Sequence, residues 1–305
     1  MTIAQLRRRE FLNYMAPVSI LSALPTSVLA QIITRQPPRS PFNSRSTAEE
    51  VTEGLDLSGL TIAITGANSG LGYETMRVLA LRGAHVIGIA RTQANAEEAC
   101  ASIAGHTTPL YLDLADWESV VRCADNIRAM NTPLDGLITN AGIMALPDLE
   151  LVNGVEKQFA VNHLGHFILI NQLRAPVLAA PQGRFTLLSS VAHRRAKNGI
   201  EFDNLDGSKH YDPWNAYGVS KLANALCARE LAAQISHTNA TANSVHPGVI
   251  ATNLVKNLPA WQRWGAKYLG WMFLKTVEQG AATTCYVATS PELVDVRGFY
   301  FSDCN

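Results

Sequence analysis

The 305-residue chain lacks an excess of either charge: 25 Lys and Arg stand against 25 Asp and Glu. No basic run follows the N-terminus, so nothing offers a nucleic acid an electrostatic footprint. Cysteine is scarce and uneven. Cys100, Cys123, Cys227, Cys285 and Cys304 are five in number, and no two make a CxxC motif. That argues against a disulfide framework or a zinc site and points to free, mostly buried thiols. His163 and His166 could share a helix face, but no third ligand lies within reach by spacing, so no metal is expected. No long hydrophobic run stands out either: the apolar N-terminal stretch is short and broken by Pro17 and Pro25, so no stable membrane span is expected. Repeats and low-complexity tracts are absent. What remains is 47% apolar and 16% charged, enough for one large core. An α/β domain of about 250 residues would use nearly all of the chain beyond its N-terminal segment.

That segment behaves differently. Arg7 to Gln31, "RRREFLNYMAPVSILSALPTSVLAQ", has a basic start, an apolar middle and a small-residue end. Arg8-Arg9-Glu10-Phe11-Leu12 resembles a twin-arginine export signal, and Val28-Leu29-Ala30 offers a signal peptidase small residues. The expectation is a signal over residues 1–30 that directs periplasmic export. The alternatives are a basic amphipathic arm or an uncleaved anchor, with a cytoplasmic or membrane-anchored chain. Residues 31–56 follow, and "QPPRSPFNSRS" within them reads as a flexible tether.

From Leu57 onward, apolar β-like runs alternate with helical ones. "LTIAIT" (60–65), "HVIGIA" (85–90), "TPLYLDL" (108–114), "LDGLIT" (134–139), "RFTLLSS" (184–190) and "TANSVH" (241–246) are the strand candidates. Near-continuous apolar strands separated by helices predict a single doubly wound α/β domain over 57–305. Its parallel sheet would be covered by helices on both faces. In such sheets ligands bind beyond the carboxyl ends of the strands, and every motif below falls at such an end or on the helix after it.

"TGANSGLG" links the first strand to its helix. Gly66 permits the tight turn, Gly70 lets backbone approach a pyrophosphate, and Gly72 allows helix to pack closely on strand. The N–H groups and positive dipole of the helix start would then face the phosphates. Thr65, Gly66, Ser69, Gly70, Leu71 and Gly72 are the candidate cofactor contacts of this loop. An NAD site usually places an acidic residue about 20 residues further on, but the second strand here ends in Ala90-Arg91. A guanidinium can pair with a 2′-phosphate that a carboxylate would repel, which favours NADP(H) over NAD(H). The bland alternative for Arg91 is a surface arginine.

Tyr217 and Lys221 in "NAYGVSKLAN" lie on one helix face. Alone they could be a surface pair. Beside a nicotinamide they mean more. A phenol ordinarily has a pKa near 10, and a nearby ammonium with the positive ring of an oxidised cofactor would lower it. The expectation is that Tyr217 exchanges a proton with a carbonyl or alcohol oxygen as hydride moves. Lys221 would also bind the nicotinamide ribose, Ser190 would hold the substrate oxygen, and Asn162 in "FAVNHLGHF" would anchor a relay water.

Together these motifs resemble the short-chain dehydrogenase/reductase family, from roughly Leu57 to the C-terminus. The resemblance rests on Thr65–Gly72 as TGxxxGxG, Asp113, Asn140-Ala141-Gly142, Asn162, Ser190, Tyr217 with Lys221, and Pro247-Gly248 followed by Thr252. It implies a Rossmann-like fold and a carbonyl–alcohol oxidoreductase. Asp113 and Leu114 would lie at the adenine, Asn140 would support the fourth strand, and Thr252 would approach the nicotinamide. Asn162, Ser190, Tyr217 and Lys221 would form the catalytic tetrad. "SSVAHRR", "IEFDNLDG", "VHPGVIATNL" and "GFYFSDCN" are similar to the retinol-dehydrogenase and WW-domain-oxidoreductase branch. Two departures stand out: Thr139 replaces the usual first Asn of NNAG, and relatives continue beyond "FSDCN", which leaves that end less well covered.

Trp261, Trp264, Tyr268, Trp271 and Phe273 crowd into 258–273. They read as an apolar lid for a lipophilic carbonyl or alcohol, or as a helix on the core, or as a patch meeting a membrane or a subunit. Rival functions are a non-catalytic NADP-binding redox sensor and a nucleotide-sugar epimerase-like enzyme. "FILINQL" and "LANALCARELA" are apolar enough to pair subunits into a homodimer or homotetramer, or simply to face the sheet.

Overall fold

The computed structural model describes residues 36–250 and 275–305. The segment 1–30 lies outside them, as do Thr252 and the aromatic stretch 258–273. Contacts divide the chain into Met1–Gln36 and Pro37–Asn305, and the second unit is the one described.

Its strands are β1 (Thr61–Thr65), β2 (His85–Ala90), β3 (Thr107–Tyr111), β4 (Gly136–Thr139), the hairpin β5 (Leu151–Val152) and β6 (Val155–Glu156), β7 (Arg184–Leu188), β8 (Thr241–His246) and β9 (Tyr300–Ser302). Seven of them form one parallel sheet in the order β3-β2-β1-β4-β7-β8-β9. The helices are α1 (Ala48–Val51), α2 (Gly70–Leu81), α3 (Gln93–Ala101), α4 (Trp117–Ala129), α5 (Lys157–Phe159), α6 (His166–Ala179), α7 (Pro213–Gln234) and α8 (Val277–Thr289). The Rossmann-like doubly wound sheet expected from the alternation is the observed one.

The apolar strands read continuously because both faces are covered. Ile62 and Ile64 of β1 join a core with Met76 and Leu79 of α2 and Ala281 and Tyr286 of α8. Ala63 between them faces the other core, with Val120 of α4, Leu169 and Leu173 of α6 and Leu231 of α7. The chain winds outward from β1 to β3 and returns to β4. The reversal therefore falls between β1 and β4, where such sheets open a crevice at their carboxyl ends.

Three strands stop short of their apolar runs. β3 ends at Tyr111, before Asp113, whose Oδ1 accepts from Ala115 N at 2.9 Å in the turn that opens α4. β4 begins at Gly136 and β7 ends at Leu188, so Ser189 and Ser190 lie beyond the strand.

A larger correction concerns residues 40–51, expected as part of a flexible tether. Thr47 and Glu50 form a capping box for α1, and Ala48 and Val51 are buried. Phe42 meets Tyr286 of α8 edge-on at 5.8 Å, and Gln279 donates to Arg45 O at 3.2 Å. Ser40 N donates to Asn305 Oδ1 (2.9 Å), and Asn305 Nδ2 donates to Phe42 O (3.0 Å). The same bonds correct the expectation that the "FSDCN" end is poorly covered: Cys304 is buried, and Ser40–Phe42 lies against the tip.

Candidate active site

The site is built on the crevice between β1 and β4. Beyond β1 the backbone turns left-handed at Gly66 (φ +71°), which a residue with a Cβ adopts only under strain. A Cβ at position 72 would lie 2.1 Å from Gly66 O, so only glycine lets α2 come this close. Ser69 precedes α2 in an extended conformation, and its side chain makes no cap bond. The first N–H groups of the helix, from Gly70, Leu71 and Gly72, are therefore not taken by a side-chain cap. A cradle of close backbone and uncapped N–H groups suits a pyrophosphate.

Asn140-Ala141-Gly142, just beyond β4, closes the cradle on its other side. Asn140 Nδ2 donates to Thr65 O at 2.8 Å, and Thr65 Oγ1 accepts from both Asn140 N and Ala141 N at 3.0 Å. Thr139 leaves the turn in place, with its own hydroxyl buried and unbonded. Arg91 is exposed immediately after β2. Leu114, beside Asp113, is buried against the chain at Gly165, where a Cβ would lie 2.7 Å from Leu114 O.

The proton-handling candidates converge next to this turn. A Cβ at Gly142 would meet Asn162 Oδ1 at 3.2 Å and Lys221 Nζ at 3.5 Å, so turn, asparagine and lysine are neighbours. Tyr217 and Lys221 share α7, which Asp212 caps by accepting from Asn215 N, with Pro213 opening the helix. Both side chains are buried, at 8% and 5% exposure. Ser190 lies close enough to Tyr217 to act on its phenol, and Trp214 meets the Tyr217 ring edge-on at 6.5 Å while Arg195 lies over Trp214 at 5.3 Å. Asn162 sits in a π-helical turn, Ala160–Gly165, between α5 and α6. Its Oδ1 accepts from Ile143 N (2.8 Å), and its Nδ2 donates to Ile143 O (2.9 Å) and Ser220 Oγ (3.0 Å).

The expectation joined the lysine with the positive ring of an oxidised cofactor in lowering the phenol. In the protein by itself burial dominates and pushes Tyr217 up to about 12, with Ser190 opposing. Lys221 Nζ lies 5.7 Å from the ring centroid and donates to Leu188 O at 3.2 Å. Burial in turn lowers Lys221 to about 8.

At the end of β8, Pro247 leads into Gly248, whose left-handed backbone (φ +100°) lies against the Lys275 stem. Lys275 pairs with Asp303 at 2.6 Å, and Ile250 bridges to Lys275. Two groups missed by sequence reasoning also belong here. Asn224 Nδ2 donates to Asn162 O and to Leu188 O, both at 3.0 Å. The signal for it was available: Tyr217, Ser220, Lys221 and Asn224 are polar at helical spacing. His166, considered above only as a metal ligand, bonds Thr65 and Asn162.

The chain is similar to known proteins over most of its length. Residues 60–263 match the family described as short chain dehydrogenase. Short-chain dehydrogenase TIC 32 A, chloroplastic, of Brassica napus is 41% identical over 287 residues, spanning 90% of this chain and 89% of its own. Retinol dehydrogenase 14 of Homo sapiens is 38% identical over 268 residues (81% and 79%), and the human WW domain-containing oxidoreductase 37% over 285 residues (89% and 68%). A solved short chain dehydrogenase/reductase family protein superposes with a TM-score of 0.64 at 25% identity, covering 81% of this chain and 97% of that one.

Proposed function

The chain belongs to the short-chain dehydrogenase family and is an oxidoreductase acting on CH–OH or C=O groups; from that premise we propose that it is NADP-dependent, with Tyr217 as general acid and base for a lipophilic carbonyl or alcohol. The observation that carries the proposal is the meeting of Ser190, Tyr217, Lys221 and Asn162 beside a glycine cradle at the carboxyl ends of β1, β4 and β7.

The residues present fit a dinucleotide. A Cβ at Gly72 would collide with Gly66 O and push α2 off the loop, the start of α2 carries no side-chain cap, and Arg91, exposed just after β2, offers a cation to a 2′-phosphate. Thr65, Gly66, Ser69, Gly70, Leu71 and Gly72 would hold the pyrophosphate, and Asp113 and Leu114 would flank the adenine. Asn140, Ala141, Gly142, Pro247, Gly248 and Thr252 would line the nicotinamide side. When bound, the nicotinamide supplies or accepts the hydride. The protein does the rest. Ser190 Oγ orients the substrate oxygen next to the phenol. Tyr217 gives its proton to that oxygen during reduction, or takes one during oxidation. Lys221, within reach of Gly142, binds the ribose and places a positive charge beside the phenolate as it forms. Asn162 holds the turn in register and passes protons through a water.

Replacing Tyr217 by Phe tests the proposal: turnover of a lipophilic carbonyl panel is expected to fall by roughly 10²–10⁴-fold, with NADPH affinity nearly unchanged. Retained turnover would reject the acid–base role. Arg91→Ala is expected to weaken NADPH binding while leaving NADH binding intact; equal losses for both would remove the NADP preference. Twin-arginine export of the chain rests on Arg8, Arg9, Phe11 and Leu12. Finding only full-length chain, all of it in the cytoplasm, would reject it.

A further inference from the structure

The imidazole of His166 has no role in the chemistry above, yet it touches both halves of the site. We propose that His166 is a positioning residue: as a neutral ring protonated on Nδ1, it ties Thr65 of the nucleotide loop to the backbone carbonyl of Asn162 and keeps loop, asparagine and lysine in one register. This rests on the reading of Asn162, Tyr217 and Lys221 just given.

Counting protons fixes this tautomer. Thr65 Oγ1 has one hydrogen and two lone pairs. Asn140 N and Ala141 N, each at 3.0 Å, occupy the lone pairs. The single hydrogen is left for His166 Nε2, 2.9 Å away, so that nitrogen accepts. The ring proton then sits on Nδ1 and is donated to Asn162 O at 3.0 Å. No other assignment satisfies all four groups. A second ring proton would set two donors head to head at Thr65. Burial agrees, holding the imidazole down at about 3, with the nearby Lys221 and His163 pushing the same way.

The connection runs further. Asn162 O also accepts from Asn224 Nδ2, which donates in addition to Leu188 O, the carbonyl that receives Lys221 Nζ. An unbroken set of buried hydrogen bonds thus joins Thr65, at the end of β1, to the lysine of α7. The Asn140–Ile143 turn also bonds Thr65 at one end and Asn162 at the other, but among the described residues His166 alone bonds both directly, and its orientation is fixed from both ends. Networks of this kind hold a geometry only when every member is satisfied.

The test uses the full chain. In ¹⁵N-histidine spectra, His166 is expected to carry its proton on Nδ1 with a bare Nε2, unchanged from pH 5.5 to 8, the signal being assigned by its loss in His166→Gln. A proton on Nε2, or a second proton gained in that range, overturns the proposal. His166→Phe keeps the ring volume without either bond and is expected to slow single-turnover reduction by roughly 10- to 100-fold, with a smaller rise in NADPH Kd. His166→Gln, which can accept and donate, is expected to recover most of the rate. An unaltered rate in the Phe variant overturns the proposal. If that variant does not fold, the tautomer measurement decides. Tyr217→Phe separates the two claims: lost turnover there with a normal His166→Phe rate defeats this proposal alone, while retained turnover defeats the underlying reading and this proposal with it.

Discussion

At the scale of single residues, the site holds its chemistry at a cost in stability. Lys221 is buried with one backbone acceptor, and its ammonium is lowered to about 8 from an ordinary 10.5. A lowered folded-state value means the unfolded chain binds the extra proton more readily, so stability is forfeited below pH 8 and regained between about 8 and 10.5. Lys221→Met is therefore expected to stabilise the nucleotide-free protein by roughly 1–3 kcal/mol at pH 7 while abolishing turnover. Thermal melts and activity assays check this together; a lower Tm would show that the ammonium stabilises its surroundings. The Tyr217–Lys221 spacing was legible from sequence because helix periodicity puts both on one face. The direction of the tyrosine shift was not, since it depends on where Nζ points and on how deeply the ring is buried.

At the scale of elements, what could be read from sequence was what local patterns dictate. Apolar runs marked the strands, and glycines at 66, 70 and 72 marked a cradle whose tightness the 2.1 Å clearance makes plain. The π-turn around Asn162 left no such trace: "FAVNHLGHF" reads as ordinary helix, and only contacts from α7 and the Leu114 carbonyl reveal its wider course. The stretch 40–51 escaped for a related reason. Its Pro, Ser and Arg content is that of a tether, while its anchors, Tyr286 and Asn305, are more than 200 residues away in sequence. Asn305→Ala removes both side-chain bonds to this stretch and is expected to cost about 1 kcal/mol, seen as a Tm lower by about 2–4 °C. Its kcat should equal the native value, and a changed kcat would mean that the clasp reaches the active site.

At the scale of the whole molecule, buried imidazoles set the acid limit. Burial lowers His163 and His246 to about 4 and His166 to about 3. All three bind protons more readily when unfolded, so their contribution is intact above about pH 6.5 and is lost as pH falls towards 4. Each contributes on the order of 1.4 kcal/mol per pH unit in that window. Glu156, whose carboxyl burial raises, acts in the opposite sense, one group against these three and His85, which burial also lowers. Urea midpoints should therefore drop steeply below pH 6.5; a flat profile down to pH 4.5 would contradict neutral imidazoles at these positions, His166 of the network among them.

The proposed function requires one phenol placed beside a bound nicotinamide. Deuteride transfer tests that placement directly. NADPH deuterated at the reactive nicotinamide carbon, mixed with the chain and a lipophilic ketone for one turnover, should leave deuterium on the carbinol carbon. The same experiment with Tyr217→Phe should give label at a rate at least about 10²-fold lower. Equal labelling by both proteins, or none by the native one, would contradict the account.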